Sequence, residues 1–81
     1  MRVRFTQPAE DDRLRLSPKL RTLADKQFDR LLHGLRYPSL KAKKYDEAQD
    51  IWQGRIGRSW RFYFRFEGDT YVILRITPHP K

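Results

Sequence analysis

Arg55, Arg61, Arg65, Arg75 and His79, with Tyr63 among them, are the side chains of this sequence best suited to chemistry. A guanidinium carries a flat fork of N–H donors, stays charged at any physiological pH and matches phosphate oxygens. An imidazole titrates near neutrality and suits proton transfer. A tyrosine ring can stack on a nucleobase. The spacing matters as much as the types. Side chains two apart along a strand share a face, so Arg61, Tyr63 and Arg65 stand opposite Trp60, Phe62, Phe64 and Phe66. In the run before, Gln53 and Arg55 face outward while Trp52 and Ile56 face inward. In the run after, the same alternation sets Val72, Leu74 and Ile76 against Tyr71, Ile73 and Arg75, with Thr77 and His79 following Arg75. One face is apolar; the other is arginine-rich, aromatic and ends in a histidine.

Three strands are needed to present that face: Asp50 to Ile56, Trp60 to Phe66 and Thr70 to Ile76. Gly57-Arg58-Ser59 and Glu67-Gly68-Asp69 are short glycine-containing loops between them, which makes an antiparallel meander. Its apolar side needs cover. Ser17 as N-cap and Pro18 in the first turn open a helix, and Leu20, Leu23, Ala24, Phe28, Leu31, Leu32 and Leu35 form a stripe along it. Gly34 and Pro38 stop it. Upstream, Arg2 to Thr6 alternates as a short strand that adds to the sheet. Ala9 to Leu16 follows as a short helix, with Thr6 or Gln7 near its cap, Pro8 in its first turn, and Glu10, Asp11 and Asp12 at its positive end. Tyr37 to Gln49 reads as a long loop with room for one helical turn, basic at Lys41, Lys43 and Lys44 and acidic from Asp46. No linker or repeat divides the chain, so residues 1–81 are expected to form a single α+β domain of two layers.

The formal net charge is +8 and the pI about 10.3, a strong field for so few residues that favours polyanion partners. There is no cysteine, which excludes disulfides and thiolate metal sites and fits a reducing compartment. With two histidines only, a histidine metal site is not expected, and His33 reads as a helix-terminal residue near the negative end of the dipole. No apolar run approaches the roughly 18 residues that span a bilayer, and Met1 to Phe5 is too short and charged for the apolar part of a signal peptide. The expectation is a protein of the cytoplasm that does not engage a membrane.

Several stretches together resemble one known family. They are Pro38-Ser39-Leu40-Lys41-Ala42-Lys43-Lys44, Asp50-Ile51-Trp52, Arg55-Ile56-Gly57-Arg58-Ser59-Trp60-Arg61, and Phe66-Glu67-Gly68-Asp69-Thr70-Tyr71-Val72-Ile73-Leu74. The closing Arg75-Ile76-Thr77-Pro78-His79 is similar to that family's arginine–isoleucine–glycine–x–histidine ending. The family is the RelE/ParE superfamily of toxins from bacterial type II toxin–antitoxin pairs, and the likeness runs from about Pro18 onward. It implies a small two-layer RelE-like fold: an N-terminal strand, one or two helices, then a three-stranded antiparallel meander.

It also implies two activities between which a fold cannot choose. RelE-like members, with the HigB-like and YafQ-like toxins, enter the ribosomal A site and cut mRNA without a cofactor or metal. ParE-like members inhibit DNA gyrase and cut nothing. On the ribonuclease reading the resemblance assigns Arg61 to the scissile phosphate, His79 to general acid–base work and Arg55 to charge stabilisation, at a position where YafQ-like toxins carry a histidine. It assigns Lys41, Lys43, Lys44, Arg58, Tyr63, Arg65 and Arg75 to RNA binding. Partners would be mRNA and ribosomal RNA in the A site, and a cognate antitoxin over the basic face. The sequence departs from the pattern as well. It lacks the extra histidines of YafQ-like toxins, and Lys81 comes before the tyrosine or phenylalanine that many ribonuclease members carry. Asp46 or Glu47 could supply a base. The alternatives are a ParE-like gyrase inhibitor and a toxin-fold basic binding domain that has lost activity.

Overall fold

The computed structural model describes residues 1–79. Its centre is a five-stranded sheet in the order β1-β5-β4-β3-β2. The strands are β1 (Arg2–Phe5), β2 (Lys43–Asp46), β3 (Ile51–Ile56), β4 (Trp60–Glu67) and β5 (Thr70–Pro78). Strands β2 to β5 are antiparallel neighbours, whereas β1 lies parallel to β5, with Val3 opposite Tyr71 and Phe5 opposite Ile73. The meander expected from the sequence is therefore present, with one strand more. Lys43–Asp46, read as loop, pairs with β3 and edges the sheet. Its pattern was hard to see because a register shift between Lys44 and Asp46 breaks the alternation within four residues.

Two helices complete the fold: α1 (Gln7–Arg15) and α2 (Pro18–His33), with one 3-10 turn at Pro38–Leu40. Thr6 caps α1 by accepting from the Ala9 N–H, and Ser17 caps α2 by accepting from the Leu20 N–H, each with proline in the first turn. Gly34 closes α2. Helix α2 covers the apolar face. Phe28 meets Phe5 and Phe62 edge-on, each at 5.1 Å between ring centres, and Ala24 and Leu31 are buried beside it. The stripe is narrower than the spacing suggests, because Leu23 and Leu32 stay exposed. Gln27, a polar residue, is buried in their place.

The β4 alternation holds: Phe62 and Phe64 are fully buried, and Trp60 and Phe66 pack against the same core. In β5 the expected split is wrong for half the strand. Tyr63 pairs with Arg75 but Phe64 pairs with Ile73, so Leu74 is an extra residue and the parity flips there. Tyr71, Ile73 and Ile76 consequently join the core cluster, while Val72, though buried, and half-buried Leu74 lie outside it. Gly54 has a packing reason. A Cβ there would enter the Phe62 ring, 2.7 Å from Cε1. Gly57 and Gly68 turn the two hairpins at φ 62° and 59°, a region that side chains rarely occupy.

The helices also finish the sheet's edges. Beyond β1, the edge of β5 is met by α1: the Thr6 hydroxyl donates to the Leu74 carbonyl at 3.0 Å, and the Ile76 N–H donates to Asp12 at 2.9 Å. Beyond β2, the Gln27 amide donates to the Arg55 carbonyl at 2.8 Å. Edge groups that would otherwise invite another strand are thereby satisfied.

Candidate functional site

The register of β3, β4 and β5 sets Arg55, Arg61 and Thr77 side by side across three strands. One step along, the His79 N–H donates to the Ser59 carbonyl at 2.6 Å. His79 thus continues β5's alignment past Pro78 and stands diagonally from Arg61, a relation that sets residues about 7 to 8 Å apart. One step the other way, Gln53, Tyr63 and Arg75 form the next row, and the Gln53 amide donates to the Tyr63 hydroxyl at 3.2 Å. Arg55, Arg61, Thr77 and His79 are therefore brought together, with Tyr63 as neighbour.

Arg61 is held more firmly than an ordinary surface arginine. It is 5% exposed, and its Nη1 donates to the carbonyls of Arg58 and Trp60 at 3.2 and 2.9 Å. Those bonds hold the guanidinium against the β3–β4 turn. Both bonds use Nη1, which leaves Nε and Nη2 without partners among the described residues. Arg58 sits in that turn with its side chain exposed, so its recorded part is the carbonyl that orients Arg61.

Charge on this face is uneven. The salt bridges among the described residues engage Arg4, Arg13, Arg15, Lys44 and Arg75, and none engages Arg55, Arg58, Arg61 or Arg65. Arg75 is clamped: its Nε and Nη2 donate to the two Asp12 oxygens at 2.8 and 3.1 Å. That bidentate bond, helped by the Ile76 N–H and opposed by burial, holds the Asp12 carboxyl below its ordinary 3.8, and raises Arg75. Arg75 thus serves the α1–β5 junction first, through an acid on α1 that lies 63 residues away in the chain.

The lysine run does not act as a unit. Lys43 pairs with Gln53 and so flanks the arginine face. Lys44 pairs with Trp52, lies over its ring at 4.9 Å, and is bonded to Asp50, which raises its pKa. It faces away from Arg61. Lys41 ends the 3-10 turn with a left-handed backbone at φ 45° and lines a groove beside α2. Arg65 is exposed opposite Val72, four residues and roughly 13 Å along the strand from Arg61.

The structure adds a tyrosine that sequence reasoning passed over. Tyr45, 60% exposed, meets Tyr63 edge-on at 4.7 Å. Together with Ile51, Leu74, Arg75, Thr77 and Pro78 these two rings line an open cleft of about 420 Å³ along the same face. Tyr45 was unreadable because its strand was; Gln53, now buried and bonded to Tyr63, looked like a plain solvent residue. The face can hold a polyanion on unpaired guanidiniums, seat a flat ring against tyrosines, and offer an imidazole beside Arg61. Asp46 and Glu47 lie at the β2–β3 turn, where the Asp46 carboxylate accepts from the Gln49 N–H.

No protein-family model matches the sequence, and no curated protein does. Solved structures do match, over nearly the whole chain. The RelBE2 toxin–antitoxin complex from Mycobacterium tuberculosis is 28% identical, with 98% of this chain and 96% of that chain covered and a TM-score of 0.73. A YoeB/ParE toxin from Agrobacterium tumefaciens is 18% identical over 99% of this chain and 100% of that one, with a TM-score of 0.75. A YoeB chain or its partner in the YoeB–YefM complex from Staphylococcus aureus is 14% identical over 99% and 98%, with a TM-score of 0.78. The protein therefore has the fold of the RelE, YoeB and ParE toxins of type II toxin–antitoxin pairs, as the sequence resemblance implied.

Proposed function

We propose that this protein is the toxin of a type II toxin–antitoxin pair and a metal-independent endoribonuclease that cuts mRNA in the ribosomal A site of the bacterial cytoplasm. The observation that carries the reading is the row Arg55–Arg61–Thr77, with His79 one step on and, among the described residues, no ion pair at either arginine. In the reaction a ribose 2′-oxygen attacks the adjacent phosphorus, the bond to the 5′-oxygen breaks, and a 2′,3′-cyclic phosphate remains. Arg61 and Arg55 would stabilise the charge that grows on the phosphoryl oxygens. His79 would pass the proton to the leaving oxygen or take it from the nucleophile. Lys43, Arg58 and Arg65 would hold the flanking backbone, and Tyr63 with Tyr45 a base. A cognate antitoxin segment would cover this face when the toxin is silent.

One observation favours a second reading. An arginine 5% exposed, with Nη1 bonded to its own hairpin, also suits a purely structural role, and the reading without a catalytic arginine is the ParE-like gyrase inhibitor. The two readings separate on products. Incubation with mRNA-programmed ribosomes should leave fragments ending in a 2′,3′-cyclic phosphate or the derived 3′-phosphate, and gyrase should supercoil plasmid normally. Intact mRNA with arrested supercoiling would establish the second reading.

A further inference from the structure

A second basic feature lies beside α2, at the edge where β3 runs past β2. Lys26, Gln27, Arg30, Ser39, Lys41 and Arg55 line a groove of about 250 Å³, together with Leu23 and Gly57. Four of these residues are cations and none is a carboxylate. Lys26 and Arg30 stand one helical turn apart and so share a face of α2. The nearby acids are not lining residues, and Asp25 is taken by Arg13 at 2.7 and 2.9 Å.

The groove is organised by a buried polar residue. Gln27 is 5% exposed and makes a bond in every direction its amide allows. Its Nε2 donates to the carbonyls of Ser39 at 3.1 Å and Arg55 at 2.8 Å. Its Oε1 accepts from Arg30 Nη1 at 3.0 Å and from the Ser39 hydroxyl at 3.2 Å. Arg30 is further bonded to the Ser39 oxygen at 3.2 Å and lies over the Tyr37 ring at 5.4 Å. A guanidinium fixed on one nitrogen presents its others in a set direction, which is the preparation an oxyanion site needs. Lys41 completes it from a left-handed backbone, a conformation that lysine seldom adopts.

We propose that this groove is a second phosphate-binding subsite, taking the backbone of single-stranded RNA some distance from the row at Arg61. Arg55 lines the groove and also belongs to that row, so the two are joined at one residue. The lining holds four cations and no carboxylate, a density that suits phosphates spaced along a strand. The choice of RNA as the polyanion rests on the ribonuclease reading; the cationic groove does not.

The test is binding of a labelled oligouridylate, by fluorescence anisotropy across a salt series. A protein that loses two phosphate contacts to a single strand loses roughly 1.4 from the slope of log K against log salt. Lys26→Gln with Arg30→Gln should therefore flatten the slope by about that amount. Lys26→Gln with Lys41→Gln leaves the Gln27–Arg30 bonds in place and should act likewise. Arg2→Gln with Arg4→Gln, an equal charge loss at exposed sites on β1, at the opposite edge of the sheet from β2, should not. An unchanged slope in both groove variants, or an equal change in the distant control, would overturn the proposal. So would a polyglutamate of matched length that binds as tightly as the RNA and is lost with the same substitutions, since that would assign the groove to an acidic protein. Because binding is read without ribosomes, failure to cut mRNA would leave this result standing.

Discussion

Arg61 and His79 carry different demands, and their surroundings reflect this. On the ribonuclease reading Arg61 has to stay charged and still, and two carbonyls of its own hairpin hold Nη1 in a side chain that is 5% exposed. On the same reading His79 has to exchange protons with solvent or substrate, and it is exposed, with its backbone N–H bonded to Ser59. Removing a preorganised charge donor typically costs about 100- to 1,000-fold in rate. Arg61→Ala is expected to lose cutting by at least that much, measured as the single-turnover rate on programmed ribosomes. Arg61→Lys keeps the charge but loses the fork, so it should recover only a small part. His79→Gln should slow the same step by about 100- to 10,000-fold with no change in the unfolding midpoint. These residues were legible in the sequence because period-two alternation fixes a face without knowledge of the fold. The face that Lys44 takes was not legible, because the register shift after it cannot be seen in four residues.

At the scale of elements, the fold rests on helices that satisfy the sheet's edges as well as cover its face. The Asp12 carboxylate holds Arg75 and the Ile76 N–H together, and Asp12→Ala would leave that edge donor unpaired. A loss of about 1–3 kcal/mol is expected, measured by urea unfolding. The pH dependence has a definite sign. Because the folded carboxyl is held below its ordinary 3.8, its contribution is fully present above that value and is lost as pH falls through the lower folded value. The stability gap between wild type and Asp12→Asn should thus be flat from neutrality down to mild acid and narrow only below about pH 4. Gly54→Ala would push a methyl into the Phe62 ring, and about 1–3 kcal/mol of destabilisation should follow. Helices α1 and α2 were readable from their caps and prolines, since capping chemistry is local. The parity of β5 was not, because the extra residue at Leu74 is set by pairing with β4 and by nothing in its own run. Gln27 was hidden for a similar reason: its partners, Ser39 and Arg55, come from distant parts of the chain.

For the whole molecule, the charge of +8 is not spread evenly. The recorded ion pairs consume cations at the α1 junctions and the β2 edge, and they leave the β3–β4 hairpin and the groove beside α2 positive. That asymmetry is what a polyanion would feel on approach, and it makes association fall steeply with salt. The fold is shared by toxins with unlike targets, so charge alone cannot assign the reaction. The most direct measurement is primer extension on mRNA held in programmed ribosomes, with wild type beside Arg61→Ala and His79→Gln. New mRNA ends at the A-site codon with wild type, absent with both variants, are the expected result. Full-length mRNA with the wild-type protein, or unchanged cutting when Arg61 is removed from a folded variant, would contradict the account.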